Sequence, residues 1–198
     1  MKHEIITHVQ GQPDWKTVPV IAIDELYRPT EAKIKAFAQI AYDETALYIH
    51  MWAEETKIRA EVTDPLDQPC RDSCLEFFFS PAPPSLRYFN MEYNLNCKPY
   101  LGIGNSIYDL VRLFPQTTDF NAKANLTETG WEVEYAVPYS FIRVFFPDFA
   151  PKTGDKMRAN FYKCGDRTEI KHYLAWSCPD EQAHGFHCPE CFGELEFA

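Results

Sequence analysis

The residues best suited to chemistry stand at alternate positions in four segments of the chain. These segments carry amides, carboxylates, an arginine and flat aromatic rings, where a merely solvated strand face would usually carry Lys, Glu, Thr and Ser. A sugar needs this mixture, because its hydroxyls require paired donors and acceptors while the C–H face of its ring stacks on an indole or phenol. The set comprises Tyr48, His50 and Trp52; Glu76; Asn90, Glu92 and Asn94; and Arg158, Asn160 and Tyr162.

A second interpretation of the same residues stays open. Strands can be half-buried under loops, and their polar side chains then bond to backbone groups instead of to a ligand. The sequence does not choose between these two interpretations for any single residue.

Hydrophobic alternation predicts the strands that position these side chains. In residues 46–54, Leu47, Ile49 and Met51 alternate with polar or aromatic residues, which is the period of two of a strand. Residues 131–137 alternate more regularly, with Glu132 and Glu134 outward. Further strands are predicted at residues 34–42, 75–79, 87–95, 157–164, 172–176 and 195–197.

These strands predict an all-β fold. We expect an antiparallel two-sheet β-sandwich, of jelly-roll or immunoglobulin-like type, because eight or more antiparallel strands need two sheets or a closed barrel. Helix is expected only as short turns, such as residues 138–146, where a proline can open a helix. With 198 residues, the chain fits one domain spanning residues 1–198.

Composition excludes several classes of partner. The formal net charge of −10 argues against nucleic acid and against anionic membranes, since both need a basic surface. No stretch reaches the roughly 20 apolar residues that span a bilayer, and the polar N-terminal residues do not resemble a signal peptide, so a cytoplasmic location is expected. The seven cysteines are then expected to be mostly reduced thiols.

Two other kinds of site are weighed and not favoured. Cys188 and Cys191 form a C-x-x-C, but zinc usually takes two such pairs, and here the partner pair would be the irregular Cys70 and Cys74. Glu76 and Glu92 could serve as the two carboxylates of a glycosidase or lyase. The chain shows no nucleophile elbow and no glycine-rich phosphate loop, so a binding protein is favoured over an enzyme.

The serial order of several segments resembles the family 9 carbohydrate-binding modules. The segments are ALYIHMWAEE, RDSCLEFFFSP, RYFNMEYNLNCKPYLG, TGWEVEYAVPYSFI, MRANFYKCGD, HYLAWSCPD and FHCPECFGELEF, which together cover about residues 36–197. The resemblance implies a β-sandwich related to the DOMON-type domains and non-catalytic binding of mono- or oligosaccharides. It also implies a pair of tryptophans around a sugar ring, and family members can carry structural calcium. No Asp/Asn-rich loop with regular ligand spacing is found here.

The resemblance also suggests particular site residues. It indicates Asp72, Glu76 and Trp176, with Asn94 and Asn160 as amide partners. We therefore predict that Trp176, with Trp52 or Tyr162, stacks on a sugar, and that polar side chains bind its hydroxyls. The predicted polar residues are Asp72, Glu76, Asn94, Arg158 and Asn160. The alternative is a β-sandwich that binds another protein through exposed aromatic residues and binds no sugar.

Overall fold

The fold is built from β-strands that follow the predicted alternation. The computed structural model describes residues 1–64, 66–114, 120–179 and 185–198. Within these residues the strands are β1 (His3–His8), β2 (Ile21–Ile23), β3 (Glu25–Leu26), β4 (Lys35–Tyr42), β5 (Ala46–Glu54), β6 (Cys74–Ser80), β7 (Tyr88–Asn94), β8 (Pro99–Gly104), β9 (Val111–Leu113), β10 (Lys123–Leu126), β11 (Gly130–Pro138), β12 (Lys156–Gly165), β13 (His172–Ala175) and β14 (Gly193–Phe197). The one α-helix in this part of the chain is α1 (Tyr139–Phe145), and single 3-10 turns span Pro69–Arg71 and Pro189–Cys191.

The strands form one strongly curled mixed sheet in the order β10-β11-β5-β4-β1-β14-β12-β6-β7-β8-β9. We call the part containing β2, β4, β5, β10 and β11 the β5 half. The part containing β3, β6, β7, β8, β9, β12, β13 and β14 is the β12 half. Strand β1 joins the two, since its first residues pair with β14 and its last two pair with β4.

The prediction of a nearly all-β chain with a short helix is confirmed. The prediction that all strands pair antiparallel is wrong at β1, which runs parallel to both of its neighbours. The physical reason is the position of β1 between the two halves: it lies at the start of the chain and pairs with strands that follow much later, so no hairpin turn constrains its direction.

The main core is a single hydrophobic cluster that takes inward side chains from both halves. Met51 and Val133 of the β5 half are fully buried in it, as are Phe77 and Phe161 of the β12 half. Helix α1 packs against it through aromatic rings, with Phe141 5.4 Å from Phe89. No helix in the described ranges is long and apolar enough to cross a membrane.

The outward side of the β12 half is also covered. Phe78, Tyr88 and Tyr162 form a second hydrophobic cluster with Phe186 and Phe192, which come from the C-terminal part of the chain. On this half, the side chains that point away from the main core are therefore also buried, in a second cluster on the other side of the sheet. One member of this cluster, Phe186, also lines a cavity on this side of the sheet.

Candidate functional site

A cavity of about 480 Å³ lies on the outward side of the β12 half. Its volume falls within the roughly 300–1,000 Å³ usual for small-molecule sites. Three polar side chains form its floor: Glu76, Asn90 and Glu92. Aromatic side chains surround the floor, namely Tyr27, Tyr100, Tyr173, Phe186 and His187. This is a polar floor inside an aromatic wall.

Strand register brings the floor residues together. Glu76 of β6 lies directly opposite Glu92 of β7, and side chains at such positions have Cβ atoms about 4.5–5.5 Å apart. Asn90 precedes Glu92 by two residues, so it points to the same side of the sheet. Its Nδ2 donates a hydrogen bond of 3.0 Å to Oε1 of Glu92. The floor is therefore fixed by rigid strands and not by loops.

Burial changes the protonation of the two carboxyls. Glu76 is 3% exposed and Glu92 is 6% exposed. Burial, with Glu92 next to it, raises the pKa of Glu76 well above its ordinary value. Burial raises the pKa of Glu92 to about 7, and the hydrogen bond from Asn90 only partly opposes that rise. Burial thus favours the protonated form of both carboxyls, so the floor can both donate and accept hydrogen bonds.

Two buried acceptors on this floor have no hydrogen-bond partner among the described residues. They are Oδ1 of Asn90 and Oε2 of Glu92. An unsatisfied buried acceptor costs about 1–3 kcal/mol, so a ligand that supplies donors there recovers that free energy. The hydroxyl groups of a ligand could supply these two donors.

Cations lie against the aromatic wall. The guanidinium of Arg28 lies 5.3 Å from the ring centroid of Tyr27 and 5.9 Å from that of Tyr173. The Arg112 guanidinium lies 4.4 Å from the Tyr100 ring. These contacts hold the rings in place around the cavity.

His187 adds a neutral group to the wall. Its Nδ1 is 2.7 Å from the hydroxyl of Tyr88. Burial lowers the pKa of His187 to about 4, so the imidazole is uncharged near neutral pH. An uncharged ring can contact an apolar or polar ligand without a desolvation cost for a charge.

Of the eight predicted site residues, Glu76 lines the cavity. Asp72 and Asn94 are fully buried beside it and bond to each other, with Nδ2 of Asn94 2.9 Å from Oδ2 of Asp72. Oδ2 of Asp72 also accepts from the backbone N–H of Val62 at 2.7 Å. These two side chains hold the segment around Val62 against the sheet.

Three further predicted residues support the cover of the β12 half. Asn160 bonds to the backbone of Ser177 through both its Nδ2 (2.6 Å) and its Oδ1 (2.9 Å). The ring of Tyr162 stacks on Phe186 at 4.0 Å. Arg158 donates from Nε to the carbonyl of Phe192 at 3.1 Å. The structure thus gives them the role of holding backbone segments, which was the second interpretation left open by the sequence.

The two tryptophans are not brought together. Trp176 is 2% exposed and packs in the main core, with its ring 5.9 Å from Phe161. Its ring fits over Gly193, where an added Cβ would lie 2.5 Å from two ring carbons. Trp52 lies on β5, and three strands separate β5 from β12 along the sheet. The expected stacking pair is therefore not formed: Trp176 lies two residues after Leu174 and so points to the same inward side, and Trp52 belongs to the other half.

The cavity residues that sequence reasoning did not select are mainly those of the wall. Asn90 and Glu92 belong to the outward set, but Tyr27, Tyr100, Phe186 and His187 stand outside the four segments from which the site was predicted. Tyr173 could have been found, because it alternates with Leu174 in a predicted strand and so points outward.

The structure bears on both metal sites considered from the sequence. Cys188 and Cys191 are joined by a disulfide, so the C-x-x-C offers no thiolate pair for zinc. Calcium requires six to eight oxygen ligands, and no group of three carboxylates gathers within the described ranges.

Comparison with solved structures places the fold. A provisionally assigned carbohydrate-binding protein from Bacteroides uniformis has a TM-score of 0.85 at 23% identity, over 100% of this chain and 99% of that one. A family 9 carbohydrate-binding module from Caldicellulosiruptor kristjanssonii in complex with cellotriose has a TM-score of 0.70 at 15% identity, over 99% and 93%. The structure of such a module from the same organism with glucose has a TM-score of 0.68 at 15% identity, over 100% and 96%.

Comparison at the level of sequence assigns the family. No protein with a curated functional description matches this chain. The model of carbohydrate-binding family 9, however, matches residues 14–197. This match covers nearly the whole chain and confirms the resemblance seen in its segments. The chain belongs to carbohydrate-binding family 9.

Proposed function

We propose that this protein binds a mono- or oligosaccharide, without catalysis, in the cavity of the β12 half. The observation that carries the proposal is the pair of unpartnered acceptors, Oδ1 of Asn90 and Oε2 of Glu92, on the floor of an aromatic-walled cavity. Solved structures of the same fold hold family 9 modules in complex with glucose and with cellotriose, and these sugars carry the hydroxyl donors that the floor lacks.

The floor and the wall have separate roles in the proposed complex. Sugar hydroxyls donate to Asn90 and Glu92, while the protonated carboxyl of Glu76 donates to a sugar oxygen. The C–H face of the ring stacks on a tyrosine of the wall, and Tyr100 of β8 and Tyr173 of β13 are the candidates on strands of the β12 half. We further propose that the two halves are the layers of a β-sandwich, because one core cluster takes side chains from both.

Calorimetric titration with glucose and with cellotriose tests the proposal. We expect saturable binding by the wild type, and binding at least about 10-fold weaker in Glu92→Gln, because one charge-assisted hydrogen bond contributes about 1.5–3 kcal/mol. Glu132→Gln is the matched control, since Glu132 lies outward on β11 of the other half. Absence of binding by the folded wild type at high sugar concentration would refute the proposal, as would equal binding by wild type and Glu92→Gln.

A further inference from the structure

Three metal-ligating side chains converge at the edge of the cavity floor. Cys74 and Cys164 lie directly opposite each other on β6 and β12. Glu76 follows Cys74 by two residues, so it points to the same side. All three are buried, with exposed fractions of 0% for Cys74, 2% for Cys164 and 3% for Glu76. The strand register therefore builds a corner of two thiols and one carboxyl.

The spacing of these three groups suits one cation. Their ligand atoms all lie within 4.8 Å of one another, and Sγ of Cys164 is 2.8 Å from Oε1 of Glu76. Zinc binds sulfur at about 2.3 Å and carboxylate oxygen at about 2.0–2.2 Å in a tetrahedron, which separates the ligand atoms by about 3.3–3.8 Å. The ligand atoms of Cys164 and Glu76 therefore have to move apart when zinc binds, because their present distance of 2.8 Å is shorter than that separation.

The surrounding charge favours a cation as well. Glu92 lies directly opposite Glu76, and its Oε2 has no hydrogen-bond partner among the described residues. The positive charges of Lys163 and Arg112 act on Glu76 and Glu92, respectively, while the carboxyl of Asp166 lines the same cavity and adds negative charge. A bound divalent cation would add to the compensation of this buried acidic corner.

We propose that Cys74, Glu76 and Cys164 form a binding site for a thiophilic divalent cation of the Zn²⁺ type. Two thiolates and one carboxylate give three ligands, and the fourth position opens to the cavity, because Glu76 and Cys164 line it. The cation reaches the site through the cavity and completes its coordination with water or with an oxygen of a cavity ligand.

Binding at this site releases protons. Zinc binds the thiolate form of cysteine and the carboxylate form of glutamate, so the cation displaces a proton from each thiol, and one from Glu76 where that carboxyl is protonated, into solvent. Affinity must therefore fall as the pH is lowered. The site shares Glu76 with the proposed sugar site but does not depend on sugar binding.

Two other places could take up the same cation. The Cys188–Cys191 disulfide yields two thiols when reduced. His3, Glu194 and Glu196 form an exposed cluster, but Nζ of Lys156 already lies 2.8 Å from Glu194 and 3.6 Å from Glu196. A test has to exclude both.

Titration of the metal-free, reduced full chain with Co²⁺ and Zn²⁺ tests the site. We expect one Co²⁺ per chain, a sulfur-to-cobalt charge-transfer band, and displacement by Zn²⁺. Cys164→Ser should weaken binding more than about 100-fold, because loss of an outer partner alone typically costs 10–100-fold. The double variant Cys188→Ser/Cys191→Ser and the variant His3→Ala are the controls, and both should retain the band and the affinity.

X-ray absorption of the zinc-loaded wild type avoids any variant that fails to fold. We expect two sulfur and two oxygen or nitrogen neighbours around zinc. No sulfur neighbour, no binding, or binding lost only in the Cys188→Ser/Cys191→Ser variant would overturn the proposal. Sugar titration of the metal-free protein is run in parallel, so that failure of the metal site and failure of the proposed sugar site are told apart.

Discussion

The outward faces of the two halves look alike in sequence but differ in the folded protein. On the β5 half, Phe37, Trp52 and His50 form a row of partly exposed rings, with centroids 5.1 and 5.0 Å apart. On the β12 half, Phe78 and Tyr162 occupy equivalent outward positions and are 0% exposed. Alternation shows which side chains point away from the main core. Whether another segment covers them depends on the loops.

The cover changes what polar side chains must do. On the β5 half, outward polar side chains meet one another on a partly exposed face, as in the contact of 3.2 Å between His50 and Glu132 and that of 3.0 Å between Lys35 and Glu54. On the β12 half, outward amides and carboxyls are buried and must find partners within the protein or in a ligand. The same substitution on the two halves should therefore have unequal effects.

The largest difference is expected for a pair of tryptophans. Trp176→Ala should lower the free energy of unfolding by about 3–5 kcal/mol, since it removes a large side chain from the core. Trp52→Ala removes cross-strand contacts on a partly exposed face and should cost about 1 kcal/mol. Urea unfolding of both variants measures this. Equal losses would mean that the two positions are not core and surface as described.

A pair of asparagines should show the next largest difference. Asn160→Ala leaves the backbone N–H and carbonyl of Ser177 without their side-chain partner, at a cost of about 2–3 kcal/mol. Asn125→Ala changes an exposed position on β10 and should cost about 0.5 kcal/mol or less. The same urea experiment applies. A loss below 1 kcal/mol for Asn160→Ala would contradict a structural role for this amide.

A pair of glutamates distinguishes the halves by pH. The pKa of Glu92 is about 7 in the folded protein and about 4.5 when unfolded, so the folded state keeps a proton that the unfolded state releases. The protonated Glu92 carboxyl therefore contributes to the free energy of unfolding at low pH. This contribution, about 2–3 kcal/mol, is lost as the pH rises from about 4.5 to 7. Glu92→Gln removes this loss and should gain stability over wild type between pH 5 and 8.

The control and the opposing groups complete the pH experiment. Burial lowers the pKa of His172 and of His187 to about 4, so their contribution is lost as the pH falls below 6.5. Both histidines are present in wild type and variant, and they cancel in the difference. The free energy of unfolding of Glu132→Gln, on the other half, should differ from that of wild type by about 0.5 kcal/mol or less at both pH 5 and pH 8. A constant difference between Glu92→Gln and wild type would contradict a buried, protonated Glu92.

Much of the fold could be predicted from periodicity. The alternation of residues 46–54 and 131–137 predicted strands that the structure places at β5 and β11, and the proline at 138 predicted the start of α1. Strand β1 was not predicted, since its six residues pair with β14 and β4 far along the chain. Nothing local in the sequence specifies such pairing.

The site was harder to predict, because the charge of a residue and its position in the alternation of a strand can indicate opposite sides of the sheet. Lys163 lies two residues after Phe161 and so points to the same inward side, where it is 0% exposed. It is held by Glu55 at 3.1 Å and His172 at 2.7 Å. Asn160 and Tyr162 were correctly placed on the outward side, yet they bond to the covering backbone. Residue type identified polar outward positions, but only the loops show which of them remain open to a ligand.

The most direct test of the account is hydrogen–deuterium exchange of the wild type with and without saturating cellotriose. With cellotriose bound, added protection should concentrate on the segments that form the cavity, namely residues 66–78, 88–94, 100–110, 164–173 and 185–187. Residues 35–54 and 130–138 of the β5 half should exchange unchanged. Protection confined to the β5 half, or no change in either half, would contradict a sugar site under the cover of the β12 half.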